Sequence, residues 1–138
     1  MSTFQLHPQL AADCFVVCDL TLCRLLMMND KNYPWFILVP MREGKREIYE
    51  LSEAEQAQLN QESTRLARTL MTLFKGAKMN VAALGNMVPQ LHIHHIVRFE
   101  GDSCWPKPVW GQVPKVLYSA EEAQARIAKI KATFFVGK

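Results

Sequence analysis

The chain has 138 residues, of which 49% are apolar and 21% charged, and its 16 basic and 13 acidic residues give a net charge of +3. This length fits one ordinary domain, and the mild, evenly spread charge favours an anionic small molecule over a nucleic acid polymer. The longest apolar runs, such as WFILVP, are far too short to span a bilayer, so no membrane partner is expected.

The chain begins MSTFQLHPQLAAD, a stretch with neither a basic start nor a continuous apolar run. It does not resemble a secretory signal, and we expect a cytoplasmic protein. Four cysteines are present, and they form no CxxC pair: Cys14, Cys18, Cys23 and Cys104. Reduced, mostly buried thiols are the simplest interpretation, with zinc binding or a disulfide framework as the alternatives.

Three strand-length runs rich in Val, Ile, Leu, Phe and Cys come first: DCFVVCDL, TLCRLLMMN and WFILVPM. The first two resemble a hairpin. Between the second and third, NDKNYP has the Asn, Asp and Pro of a tight connection.

A long helix is predicted next, beginning at Ser52, because Glu55 three residues later completes a capping box. Gly76 is its predicted C-terminal stop. One apolar stripe runs along it, formed by Leu59, Leu66, Leu70 and Phe74 with Ala67 and Leu73 alongside. We expect this helix to lie across the sheet.

Two more strands are predicted at KMNVAAL and QLHIHHIVRF, joined by the turn-like GNMVP. The Pro- and Trp-rich stretch EGDSCWPKPVWGQVPK is expected to be a structured loop. A second capping box, Ser119 with Glu122, opens a final helix over about 119–136, and its apolar face comprises Ala123, Ile127, Ile130 and Phe134.

The strands cluster around one long helix and do not alternate with helices, which favours the α+β class with a five-stranded antiparallel sheet. No repeat, low-complexity tract or linker divides the chain. We therefore predict a single domain over 1–138, with a core of about 10–112 and a C-terminal helix.

Three of the four histidines fall in the ten-residue stretch PQLHIHHIVR. In a strand, Gln90, His92 and His94 share one face, and the two histidines lie roughly 6.6 Å apart along the strand. His95 shares the opposite face with Ile93 and is expected to face the core with a hydrogen-bond partner. The histidine cluster therefore divides into two sites.

Three interpretations apply to the face that carries His92. The two histidines could have no chemical role. They could bind a metal, with Glu100 or Cys104 completing three ligands, although the nearby amides of Gln90 and Asn86 are poor ligands. Alternatively, a neutral imidazole could attack phosphorus, with neighbouring amides and the second histidine stabilising the phosphoryl group without a metal or other cofactor.

The same stretch resembles the signature of the histidine-triad family, His-apolar-His-apolar-His followed by two apolar residues. Gln90 stands at the first histidine position, His92 at the second and His94 at the third. The resemblance extends over about a hundred residues, from the CDL hairpin to the tryptophan loop. The order of predicted strands and helices also agrees with this family.

This resemblance implies that His92 is the nucleophile that forms a nucleotidyl-histidine intermediate and that His94 assists by hydrogen bonding and proton transfer. Gln90 departs from the motif. Its carboxamide cannot shuttle a proton, but its backbone carbonyl can still fix the tautomer of the nucleophile.

The resemblance also implies nucleotide contacts outside the histidine strand. Asn29 stands where the family binds ribose hydroxyls, and Asn80, Gly85 and Asn86 resemble positions near the phosphate. Pro34-Trp35 replaces a Gly-His pair of many members, so the base pocket is expected to differ. Three tryptophans are candidates for stacking on a purine or for core or subunit-contact packing: Trp35, Trp105 and Trp110.

The resemblance is to the branch similar to diadenosine polyphosphate hydrolases. It implies a homodimeric hydrolase or transferase acting at the α-phosphate of a dinucleoside polyphosphate or nucleoside phosphoramidate, with no cofactor. Because Gln90 interrupts the triad, a non-catalytic nucleotide-binding or scaffold protein stays an alternative, as does a histidine-ligated metalloenzyme.

Overall fold

In the computed structural model, which describes residues 4–136, five strands form one sheet. The strands are β1 Cys14–Asp19, β2 Cys23–Met28, β3 Trp35–Pro40, β4 Lys78–Ala82 and β5 Ile93–Arg98. Their order across the sheet is β1-β2-β3-β5-β4, and every neighbouring pair is antiparallel. The predicted α+β class and five-stranded antiparallel sheet are confirmed.

Three α-helices accompany the sheet: α1 Pro8–Asp13, α2 Glu53–Phe74 and α3 Ala120–Val136. Both predicted capping boxes are present, because Ser52 and Glu55 exchange side-chain to backbone hydrogen bonds, as do Ser119 and Glu122. The short α1 and a 3₁₀ turn at Ile48–Glu50 were not predicted.

The end of α2 differs from the prediction for Gly76. Lys75 adopts the left-handed conformation, with φ of 54°, and its N–H donates to Met71 O. Gly76 serves a different purpose, because a Cβ there would lie 2.3 Å from Cγ1 of Val97 on β5. The glycine permits close approach of the chain to the sheet, and it is not the left-handed cap.

The two faces of the sheet are covered by different parts of the chain. Helices α2 and α3 pack on one face, where their buried side chains include Leu66, Leu70 and Ile130. The other face is covered by the N-terminal segment and the loop after β5, through residues such as Leu10 and Val109. This second face of the sheet carries the candidate functional site.

Glu62 interrupts the apolar stripe of α2 and is nevertheless buried. Its carboxylate accepts from the backbone N–H groups of Leu22 and Cys23, at 2.8 and 2.9 Å, and from Gln58 Nε2. It thereby satisfies the N–H groups at the start of β2.

All four cysteines are unpaired, but only Cys23 is fully buried, the others being half-buried. Burial and the adjacent Asp13 raise the pKa of Cys14 to about 12, which keeps it a thiol. No helix within residues 4–136 has the length and apolar character needed to cross a membrane.

Candidate functional site

His92 and His94 line a pocket of about 530 Å³ on the face of the sheet opposite α2. Its walls come from three places: the N-terminal segment with α1, the turn at residues 84–88 between β4 and β5, and Trp110 in the loop after β5. Met28, the last residue of β2, completes the lining. The pocket brings together three imidazoles, those of His7, His92 and His94.

His92 immediately precedes β5 and is buried. Its Nδ1 lies 2.7 Å from the backbone oxygen of Gln90. Because a carbonyl only accepts, Nδ1 carries the proton and Nε2 of the neutral ring holds the lone pair. Among residues 4–136, Nε2 of His92 has no hydrogen-bond partner. Because every buried side-chain polar atom in this part of the chain has a partner, Nε2 is not buried, and its lone pair is accessible to solvent.

His94 has the opposite tautomer. The indole Nε1 of Trp35 donates to its Nδ1 at 3.0 Å, so the proton of the neutral ring lies on Nε2. Burial, with the neighbouring His92 and His95, lowers the pKa of His94 to about 3. The ring centroids of His92 and His94 are 4.9 Å apart. The site therefore pairs the Nε2 lone pair of a neutral His92 ring with the Nε2–H donor of His94.

His95 lies on the other face of β5 and is fully buried. Its Nδ1 donates to Ile93 O at 3.1 Å, and its Nε2 accepts from the Ser63 hydroxyl of α2 at 2.7 Å. The prediction that His95 faces the core with a hydrogen-bond partner is confirmed.

Gln90 is close to the pocket, but its side chain is directed to the N-terminal segment. Oε1 accepts from the backbone N–H of His7 at 2.9 Å, and Nε2 donates to Gln5 O at 2.9 Å. The carboxamide therefore does not reach the histidines, and only the backbone oxygen of Gln90 acts on His92. The expected role of that carbonyl in orienting His92 agrees with this geometry.

The structure separates the four residues predicted to contact nucleotide. Gly85, with φ of 81°, and Asn86 line the histidine pocket. The Asn29 side-chain oxygen accepts from the backbone N–H of Tyr118 at 2.9 Å, and that of Asn80 accepts from the buried Arg98 at 3.0 Å. Among residues 4–136, neither Asn29 nor Asn80 belongs to the pocket lining.

The three tryptophans have different environments. Trp35 is buried and orients His94, whereas Trp110 lines the pocket in a T-shaped arrangement with His94, the centroids 5.0 Å apart. Trp105 lies beside the guanidinium of Arg98, 5.7 Å from it, outside the pocket. Of the three, Trp110 is the one positioned to meet a ligand.

Sequence reasoning missed the contribution of the N-terminal segment to this pocket. His7, Gln9, Leu10 and Asp13 all belong to its lining. His7 is the N-cap of α1, a role more often filled by Ser, Thr, Asp or Asn, so no local pattern marked the helix. Pro8 at the first helical position was the available indication.

A metal site receives no support from these positions. Within residues 4–136, no group of three or more His, Cys, Asp or Glu residues could hold a metal ion. Cys104, one suggested third ligand, contacts the Tyr33 hydroxyl at 3.2 Å, and the other, Glu100, is exposed beyond the end of β5.

The sequence matches the model of the HIT domain over residues 9–101. Among solved structures, it is similar to histidine triad proteins from Marinobacter aquaeolei VT8, at 53% identity and a TM-score of 0.93, and from Bradyrhizobium japonicum, at 44% and 0.92. These comparisons cover 95% of this chain in both cases, with 96% and 98% of the other chain. No curated protein matches the sequence.

A more distant similarity concerns the fold alone. The diadenosine triphosphate hydrolase of Plasmodium falciparum, solved with Cyclomarin A, shares 17% identity and a TM-score of 0.65, with 95% of this chain and 80% of the other covered. At this level the shared feature is the arrangement of strands and helices.

Proposed function

The chain belongs to the histidine-triad (HIT) family, and from this premise we propose that it is a nucleotide hydrolase or nucleotidyl transferase. The proposed reaction takes place at the α-phosphate of a dinucleoside polyphosphate or nucleoside phosphoramidate. One observation carries the proposal: the bond from His92 Nδ1 to Gln90 O leaves the Nε2 lone pair accessible beside the Nε2–H of His94.

In the proposed first step, His92 Nε2 attacks the α-phosphorus, forming a P–N bond as the bond to the leaving group breaks with its electron pair. Water or another acceptor then attacks the same phosphorus and releases His92. His94 donates through Nε2 to a phosphoryl or leaving-group oxygen. Since its pKa is about 3, His94 acts as a neutral hydrogen-bond donor and not as an imidazolium acid.

The turn at Gly85 and Asn86 is the proposed phosphate-binding part of the lining, because it brings backbone groups and a carboxamide beside both histidines. Asn29 and Asn80 were expected to bind nucleotide as well. Their side-chain oxygens accept hydrogen bonds from Tyr118 N–H and Arg98, and neither residue lines the histidine pocket.

Trapping of the covalent intermediate tests this function. We expect brief incubation with a panel of dinucleoside polyphosphates and nucleoside phosphoramidates to give a mass increase of one nucleotidyl group, located on His92 by peptide mass spectrometry. His92→Ala should abolish the adduct and lower turnover by about 10⁴-fold or more. Turnover that persists in His92→Ala would exclude His92 as the nucleophile.

A second candidate, nucleotide binding without turnover, is favoured by one observation. The Gln90 side chain is held by the N-terminal backbone, so it cannot assist the chemistry. Nucleotide binding by the purified wild-type chain with no product above background would support this candidate and contradict the catalytic one.

We also propose a homodimer in which two sheets join edge to edge through β4. This strand is at the edge of the sheet, and the exposed apolar side chains of Val81, Leu84 and Met87 lie on it or just after it. Light scattering should give twice the monomer mass for the wild type and the monomer mass for Val81→Lys. A monomeric wild type would contradict the proposal.

A further inference from the structure

The N-terminal segment, residues 5–13, is fixed in place, and its residues from His7 to Asp13 contribute a wall of the histidine pocket. Gln90 holds its backbone at His7 and Gln5, and Leu10 is buried in the core on this face of the sheet. Since the Gln90 backbone oxygen also orients His92, one residue holds both the nucleophile and the opposite wall. The position of His7 relative to His92 is therefore set by short, direct contacts.

The imidazole of His7 has a defined tautomer. Its Nδ1 accepts from the backbone N–H of Gln9 at 3.0 Å, so the proton of the neutral ring is on Nε2. Within residues 4–136 this Nε2 has no hydrogen-bond partner, and His7 is half-buried in the lining of the pocket that contains His92 and His94. This donor belongs to a residue that lines both the histidine pocket and the adjacent cavity bounded by Gln5, Glu43 and Gln90.

The N-terminal wall of the pocket carries two polar groups of opposite character, the N–H donor of His7 and the carboxylate of Asp13. His7, held by Gln90, offers a donor, which matches phosphate oxygens. Asp13 is at the other end of α1, about 9 Å along the helix, and its carboxylate would repel phosphate. Gln9 also lines this wall, but its Nε2 already donates to the Asp13 carboxylate at 2.9 Å, so His7 is the donor of the wall that we consider for a phosphate.

We propose that His7 is a substrate-binding residue whose Nε2–H donates to a phosphate oxygen of the bound nucleotide. This inference rests on the proposed function. His7 then supplies a third imidazole to the site from a distant part of the sequence, although glutamine occupies the first triad position. Gln90 is then a positioning residue that acts through the backbone of His7.

The variant His7→Asn isolates this contact. An Asn side-chain oxygen can still accept from Gln9 N–H and cap α1, but the Nε2–H donor is lost. We expect the affinity for adenosine monophosphate to fall about ten- to a hundredfold, as for loss of a hydrogen bond to a charged group, while the affinity for adenosine changes less than about twofold. Titration calorimetry measures both.

Two further variants complete the test. Gln5→Asn alters an exposed side chain of the same segment outside the histidine pocket and should bind both ligands like the wild type. Gln90→Ala removes the side chain that holds the N-terminal backbone but retains the backbone oxygen that holds His92. It should therefore weaken binding of the monophosphate more than that of adenosine and increase hydrogen exchange over residues 5–10.

Unchanged monophosphate binding in His7→Asn, or an equal loss for both ligands, would overturn the role of His7 even if the wild type formed the His92 adduct. A wild type that binds neither ligand and forms no adduct would instead contradict the proposed function, and the inference with it.

Discussion

His92 and His94 carry their protons on different ring nitrogens because their partners differ in kind. A carbonyl oxygen fixes the proton of His92 on Nδ1, and an indole N–H fixes that of His94 on Nε2. Two chemically identical side chains thus offer different groups to the pocket, a lone pair on His92 and an N–H donor on His94. The division depends on Trp35, for which the sequence left purine stacking and packing open and whose indole N–H donates to His94.

Replacing Trp35 by phenylalanine tests this division. Trp35→Phe keeps an aromatic ring but removes the donor, so His94 should populate both tautomers and supply its Nε2–H only part of the time. We expect kcat to fall about tenfold, a loss of the order of one hydrogen bond. Nitrogen NMR of labelled histidine reports the tautomer directly.

Trp110→Phe is the matched control for that experiment, because Trp110 contacts His94 only through its ring. It should leave the His94 tautomer unchanged. If Trp35→Phe retained a pure Nε2–H tautomer and full kcat, the indole would have no positioning role.

Asn29 is a second residue whose role can be separated by substitution. Asn29→Ala removes the acceptor for Tyr118 N–H and should lower the free energy of unfolding by about 1–2 kcal/mol, with KM for nucleotide unchanged. Asn29→Asp retains the acceptor and should be close to wild type in stability. Urea denaturation and steady-state kinetics measure the two quantities. A raised KM with unchanged stability would support the predicted ribose-binding role of Asn29.

At the scale of elements, α2 begins where its sequence predicted but ends differently. The capping box is a local pattern of two side chains, so it can be recognised without the fold. The need for a glycine at residue 76 arises from Val97, a strand residue 21 positions later that only the folded chain brings near. A sequence pattern could not separate that requirement from an ordinary helix stop.

Opposite effects on stability are expected at two adjacent positions after α2. Gly76→Ala should destabilise the fold by about 1–3 kcal/mol, because its Cβ would overlap Val97. Lys75→Gly should stabilise it by about 0.5 kcal/mol, since glycine tolerates the left-handed backbone. Urea denaturation provides both values, and effects of the same sign would contradict the assignment of the cap to Lys75.

At the scale of the whole molecule, the sequence predicted the sheet, both long helices and the opposite faces of His94 and His95, but Gln90 and His92 lie before β5 and not within it as predicted. The correct predictions follow from periodicity and local caps. The pocket wall formed by His7 and α1 did not follow, because it depends on a contact between residues 83 positions apart. Glu62 was missed for the same reason, since its partners lie 39 and 40 residues away.

Two buried neutral histidines also make the stability of the whole molecule depend on pH. Burial lowers the pKa of His95 to about 4, and burial with the adjacent imidazoles lowers that of His94 to about 3, against an ordinary value of about 6.5. Below about pH 6.5, His94 and His95 bind protons in the unfolded chain but stay neutral in the folded chain. The free energy of unfolding therefore falls as the pH falls.

We expect the free energy of unfolding to decrease by about 3–5 kcal/mol between about pH 7 and about pH 4.5, measured by urea denaturation. Asp102 does not contribute in this range: burial raises its pKa, but hydrogen bonds from Arg98 and two backbone N–H groups lower it to about 2, so its stabilisation is lost only in stronger acid. His95→Gln, which keeps a partner for Ser63 but cannot titrate, should lose about half of the dependence. A wild type equally stable at both pH values would show that neither histidine is held neutral by the fold.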